Sequence, residues 1–165
     1  MTGQNVGADR LDRAERTNYF AAKVLFAVLA AMGVFAFLFA ESIIGVFTSD
    51  PKVIEPGATF LRYAAPSFGF IGIMRAYIGG FRGTGGTLTA AAITVVMLWV
   101  VRLPIAWFGA GSIGQEGVWA AFAVSNVVGA GLAWAWFRRG GWKRGDATDD
   151  FFGVDVGPDP EPTDD

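Results

Sequence analysis

Four apolar stretches, at residues 20–40, 60–81, 88–108 and 117–137, occupy most of this 165-residue chain. At about 1.5 Å of rise per residue, a helical stretch of this length covers about 31 Å, the thickness of a bilayer's hydrocarbon core. A water-soluble fold has no use for four such runs, so the pattern predicts an all-α membrane protein with four transmembrane helices. Composition agrees: hydrophobic residues make up 53% and charged residues only 17%, against about 25% charged in ordinary soluble domains. Four spans with short connections leave no room for a catalytic domain outside the membrane, and an enzyme is not expected. The first nineteen residues are polar, with Arg10, Arg13 and Arg16, and lack the apolar core of a cleavable signal. The first span is therefore expected to direct insertion itself.

Cysteine and histidine are both absent, which removes disulfides, thiolate metal sites, Cys or His nucleophiles and histidine proton relays. No metal site and no cofactor are expected. Charge is distributed unevenly. Residues 1–145 hold thirteen basic and seven acidic residues, a net +6, whereas residues 146–165 hold eight acidic residues and no basic one. That Pro-, Gly- and Asp-rich segment cannot bury enough apolar area to offset its chain entropy and is expected to be a disordered, cytoplasmic tail.

The remaining basic residues alternate between the two sides of the membrane. Arg10, Arg13, Arg16 and Lys23 precede the first span, Arg82 follows the second, and Arg138, Arg139, Lys143 and Arg144 follow the fourth. Opposite them stand Lys52 and, near a span end, Arg62. The positive-inside rule then puts both termini in the cytoplasm of a multi-pass protein of the cell membrane. Trp107, Trp119, Trp136 and Trp142 fall near span ends, where indole rings favour the interface. Ser49, Asp50 and Pro51 predict a helix start well before the second apolar run. Pro66 should kink that helix, and Pro104 should bend the third. The glycine-rich turn at 82–87 lacks the lysine, the spacing and the preceding strand of a phosphate-binding loop, so a tight turn is expected there and nucleotide or nucleic acid is not an expected partner.

A few polar residues inside the spans carry the functional reading. Arg75 lies deep in the second span, a position costing at least about 2.5–3.5 kcal/mol in lipid, and shares a helical face with Gly72, Gly79 and Arg82. It is either a pathway-lining cation or an arginine snorkelling to the nearer headgroups. Arg102 and Glu116 are expected to pair at the outer end of the third and fourth spans. Ala121, Ser125, Gly129 and Ala133 form a small-residue stripe suited to helix packing. Asn126 beside it could bond across helices or face a cavity. No carboxylate lies at the centre of any span, which argues against a self-contained proton or sodium site.

Five segments in order, GQNVGADRLDRAER (3–16), FTSDPKVIEPGATFLRYAAP (47–66), FRGTGGT (81–87), LWVVRLPIAW (98–107) and GVWAAFAVSN (117–126), resemble the last third of multidrug and toxic compound extrusion (MATE) transporters. The resemblance covers residues 3 to about 144. It implies that the four spans are helices nine to twelve of twelve, part of the C-terminal six-helix lobe, with residues 3–8 ending helix eight. It further implies an antiporter that exports organic, often cationic, compounds in exchange for sodium ions or protons. Gly86 stands where the family usually has an aspartate, which weakens any role for that turn. The first eight helices, with the family's usual membrane-embedded acids, have no counterpart here, so the chain reads as a truncated piece or as a subunit whose partner is a separate chain carrying the missing helices. Two other classes stay open: a non-transporting membrane assembly protein, and a four-helix small multidrug exporter acting as a dimer, which needs an acid in the middle of its first helix.

Overall fold

The computed structural model describes residues 2–8, 10–140 and 142; the acidic segment at 146–165 lies outside the described residues. A short helix α1 (Thr2–Gly7) leads into α2 (Leu11–Leu38), the first crossing. The helix starts nine residues before the apolar run because Asp12 occupies its first turn, where a negative charge suits the amide end, and because its basic residues can solvate one end while staying helical. A break at Phe39 (φ −107°, ψ 22°) separates α2 from the single-turn α3 (Ala40–Gly45).

The second crossing is assembled from two helices in line, α4 (Pro51–Ala64) and α5 (Phe68–Gly83), joined by a 3₁₀ turn at Ala65–Ser67. Asp50 caps α4 as expected, its carboxylate accepting from the Lys52 N–H at 2.9 Å, and Pro51 takes the first helical position. Pro56 is tolerated early in α4. Pro66 cannot donate into the helix ladder, and the chain tightens around it: the Phe68 N–H bonds to Ala65 instead of continuing the α pattern.

The third crossing runs from α6 (Thr87–Val95) through a π-helical stretch, Val96–Arg102, into α7 (Leu103–Ile113), so the whole helix is 27 residues long. The irregularity lies on the N-terminal side of Pro104, whose missing N–H and ring disturb the turn before it. The fourth crossing is α8 (Gln115–Arg139), closed by Gly140 in the left-handed conformation (φ 81°) with Arg138 and Arg139 in the last turn. Crossings one, three and four are each single helices long and apolar enough to span a bilayer; the second achieves its length across the 3₁₀ turn.

Two connections are tight, the first as the sequence suggests and the second more so. The turn at 82–87 is a helix stop of the Schellman type: Gly85 sits at φ 88°, and the Gly86 N–H reaches back to the Phe81 carbonyl at 2.8 Å. The loop expected at 109–116 is a single residue, Gly114 (φ 67°). Gly109 and Gly117 make this possible by laying one backbone on the other; a Cβ on Gly109 would come within 2.9 Å of the Gly117 Cα.

α8 is the central element, packed against α5, α7, α4 and α6, while α2 packs along α5. Small residues set these approaches. Gly72 lies against the Leu25 carbonyl of α2, and Gly129 faces the sulfur atoms of Met74 and Met97. At the end that holds α1 and the 82–87 turn, an aromatic core joins Tyr19, Tyr77, Phe81, Phe137 and Trp142. Trp142, three residues past the end of α8, is turned inward. It is fully buried, stacked on Phe137 with ring centres 4.6 Å apart, and its indole N–H donates to the Phe137 carbonyl at 2.9 Å. A buried donor with a backbone acceptor in reach gains more than an exposed ring at the headgroups.

Candidate polar centre in the membrane

Three of the residues singled out above meet in one place, at mid-depth in the bundle. Arg102 lies eleven residues from the end of α7 and fifteen from the start of α6, which puts it about 16 Å or more from either end of its helix. Its Nε donates to the Ser125 hydroxyl at 2.7 Å and its Nη2 to the Asn126 Oδ1 at 3.0 Å. Asn126 passes the connection on, its Nδ2 donating to the Ser67 hydroxyl at 3.0 Å. Ser67 donates in turn to the Ala64 carbonyl at 2.7 Å, the acceptor that the 3₁₀ turn leaves without its α-helical partner. The guanidinium also lies over the Phe122 ring, 4.5 Å from its centre, a favourable placement for a cation.

The expected pair between Arg102 and Glu116 is therefore not formed. The third helix continues past its apolar run to Ile113, which carries Arg102 far below the helix end. At that depth the nearest acceptors are the neutral groups of α8. Glu116 instead accepts from the Tyr63 hydroxyl at 2.7 Å. The ion pair that does form at this end joins Arg62 to Glu41 at 2.9 Å, with both side chains largely exposed, and contributes little.

The small-residue stripe is buried throughout: Ala121, Ser125, Gly129 and Ala133 all face neighbouring helices. Ser125 does more than make room, since it accepts from Arg102 while donating to the Phe122 carbonyl at 2.9 Å. Asn126 is 2% exposed and bridges the third crossing to the second. For Asn126 this is the first of the two readings its place in the sequence allowed, a bond across helices; the bond from Arg102 to Ser125 was not visible in the spacing of α8 alone. The signal that could have found it is Pro104, which marks the disturbed turn where Arg102 sits.

Arg75 and Gly79 are exposed on α5, with open space where a Gly79 Cβ would go, whereas Gly72 is buried against α2. The face assigned to Arg75 is thus narrower than expected, because Gly72 lies round the helix on the packed side. The hydrogen bonds of the polar centre do not include Arg75. A further polar residue went unnoticed in the sequence: Asn18, 3% exposed in α2 opposite Gly80, has no hydrogen-bond partner at its Nδ2 among the described residues.

An open groove of about 650 Å³ runs between α2, α5 and α8, bordered by Phe26, Phe70, Tyr77 and Trp134, with Lys23 at its rim. Phe20, Val34, Phe35, Trp99 and Trp107 are exposed elsewhere on the bundle surface. Such extensive apolar exposure requires lipid or further helices around it.

Known proteins resemble this chain in sequence and in fold. The MatE family model matches residues 1–108. The probable multidrug resistance protein NorM of Thermotoga maritima is 32% identical over 115 residues, 68% of this chain and 25% of that protein. The probable multidrug resistance protein YpnP of Bacillus subtilis is 27% identical over 143 residues, 87% of this chain and 32% of its own length. In fold, the crystal structure of the Vibrio cholerae MATE transporter VcmN in the bent form superposes with a TM-score of 0.81 at 21% identity, covering 88% of this chain and 33% of VcmN. The chain thus spans about a quarter to a third of the length of these relatives. With the family model over residues 1–108 and the same helical arrangement in a solved transporter, this multi-pass membrane chain belongs to the MatE family, the MATE transporters.

Proposed function

We propose that the chain supplies helices nine to twelve of a secondary antiporter that exports organic compounds in exchange for sodium ions or protons. The observation that carries this reading is the extent of the match, which runs through the spans in order and reaches relatives named as multidrug resistance proteins. The described acidic residues of this third, Asp12, Glu15, Glu41, Asp50, Glu55 and Glu116, stand at or near helix ends. The coupling carboxylate then belongs to the helices this third would join, and the open groove beside α2 and α5 offers them a seat. Reconstituted alone into vesicles, the 165-residue chain should drive no ion-gradient-dependent uptake of a cationic dye above empty vesicles. Joined to the eight-helix segment of its family, it should support uptake. Robust uptake by the chain alone would overturn this reading and favour a self-sufficient dimeric exporter.

In the same reading both termini face the cytoplasm. Thr84 lies at the end of the bundle that holds α1, and Ser112 lies at the opposite end, next to the Gly114 turn. A cysteine placed at Ser112 should react with an impermeant maleimide in intact cells and one at Thr84 should not; labelling of the Thr84 variant alone would reverse the orientation. Arg75, exposed on α5, is assigned to the transport pathway or to a contact with the other helices of such an antiporter. Arg75→Ala should then lower transport per folded molecule more than it lowers membrane abundance. Normal transport after correction for abundance would make Arg75 a simple interfacial anchor.

A further inference from the structure

Beside the Arg102 guanidinium lies a second cavity, about 270 Å³, lined by Phe60, Leu98, Ala106, Trp119 and Phe122 with Arg102 at its polar wall. Its chemistry is unusual for a membrane interior. The charge of Arg102 meets only neutral acceptors, Ser125 and Asn126, which use two of the five N–H groups of the guanidinium fork. No described carboxylate balances it, since the described ion pair is Arg62 with Glu41, and Glu116 is held by Tyr63. The guanidinium covers the Phe122 ring, and beyond it the rings are set edge to face, Phe60 against Phe122 at 5.8 Å and Phe60 against Trp119 at 6.3 Å. They form an apolar wall with a fixed cation at one side.

We propose that this cavity binds an amphiphilic aromatic anion, its carboxylate accepting from the free side of the Arg102 fork and its ring lying among Phe60, Trp119 and Phe122. A guanidinium presents planar paired donors that match a carboxylate, and an apolar surround strengthens that attraction while excluding water. An organic cation of the same shape meets like charge at the same wall. Ser125 and Asn126 have a defined part in this: by holding Nε and Nη2 they fix the plane of the fork at the cavity wall, so that binding requires little further ordering of the side chain. The volume fits one or two fused rings and not a large multi-ring compound. That such an anion is also a transported substrate rests on the antiporter reading above; the binding itself does not.

The test uses the full 165-residue chain in a non-ionic detergent, with 2-naphthoate as the probe and 2-naphthylmethylammonium as the matched cation, by equilibrium dialysis against protein-free micelles. The expected result is that the chain binds naphthoate at least about tenfold more tightly than the ammonium, the difference a single charge-assisted contact supplies. Arg102→Gln should reduce naphthoate retention to that of the micelles. Ala106→Phe fills the cavity without touching the bonds to Ser125 and Asn126, and should abolish binding while the thermal unfolding of the chain stays within a few degrees of the parent. Equal binding of anion and cation, no retention above micelles, or unchanged binding in either variant would overturn the proposal. Failure of the parent chain to bind naphthoate, with dye export intact in the joined transporter, would discard the anion cavity alone; binding without export would discard the antiporter reading alone.

Discussion

Gly117→Ala is expected to destabilise the chain by about 1–3 kcal/mol, the usual range for overpacking, although alanine is the better helix former by about 1 kcal/mol. The reason is the backbone contact beneath the Gly114 turn, where a methyl group on Gly117 would enter the space held by the Gly109 main chain. Main chain cannot swing aside as a side chain can, so the α7–α8 pair must splay. Gly111 is the matched comparison, because it lies in the same α7 turn and has open space where its Cβ would go. Gly111→Ala should leave stability unchanged or raise it by up to about 1 kcal/mol. Thermal unfolding of both variants in the same detergent decides the matter, and a rise in Tm for Gly117→Ala would show that the close approach is not used in solution.

Asn126→Leu should cost about 2–4 kcal/mol. A typical hydrogen bond between membrane helices contributes only about 0.6 kcal/mol and at most about 1.7, so one lost bond would not reach that figure. Asn126, however, holds two partners at once, and one of them is charged: removal leaves Arg102 and Ser67 each short of a partner at mid-depth. Asn126→Asp separates the two contributions. It keeps an acceptor for Arg102, now a charged one, and loses only the donor to Ser67, so it should be clearly milder than the leucine variant. Ser125→Ala, which leaves the Asn126 bond in place, should cost about 1 kcal/mol. A loss below about 0.5 kcal/mol for Asn126→Leu, the range of ordinary surface changes, would mean that the three crossings are held by packing alone.

Where local chemistry decides, the sequence was sufficient. The Asp50–Pro51 helix start, the disturbance at Pro66, the tight stop at Gly85 and the buried stripe on α8 each follow from the residues at those positions. Hydropathy located the four crossings but not their ends, because apolar runs report where lipid is and not where the helix hydrogen bonds stop. That difference displaced Arg102: the run ends at Phe108 while the helix continues to Ile113, so a residue read as close to the surface lies near the middle. The one-residue turn was hidden for a related reason, since Gly109, Gly111 and Gly114 read as a loop composition and only the contact with Gly117 makes two of the three helical. The stacking of Trp142 on Phe137 was not legible, because a preference for span ends says nothing of which ring a tryptophan meets there. The Arg102–Asn126–Ser67 chain joins residues 24 and 59 positions apart, a relation that no local pattern encodes.

The brevity of the Gly114 turn also bears on how the chain enters a membrane during synthesis. In the orientation proposed above, with both termini cytoplasmic, the polar side chains between the apolar parts of α7 and α8 that must be carried across the bilayer are only Ser112, Gln115 and Glu116. Their small number favours delivery of the two helices together as a closed hairpin, with Gly109 and Gly117 already in contact, over sequential threading of one helix and then the other. Arg102 would then meet Ser125 and Asn126 before the pair leaves the insertion machinery, so that its charge is never presented to lipid without acceptors.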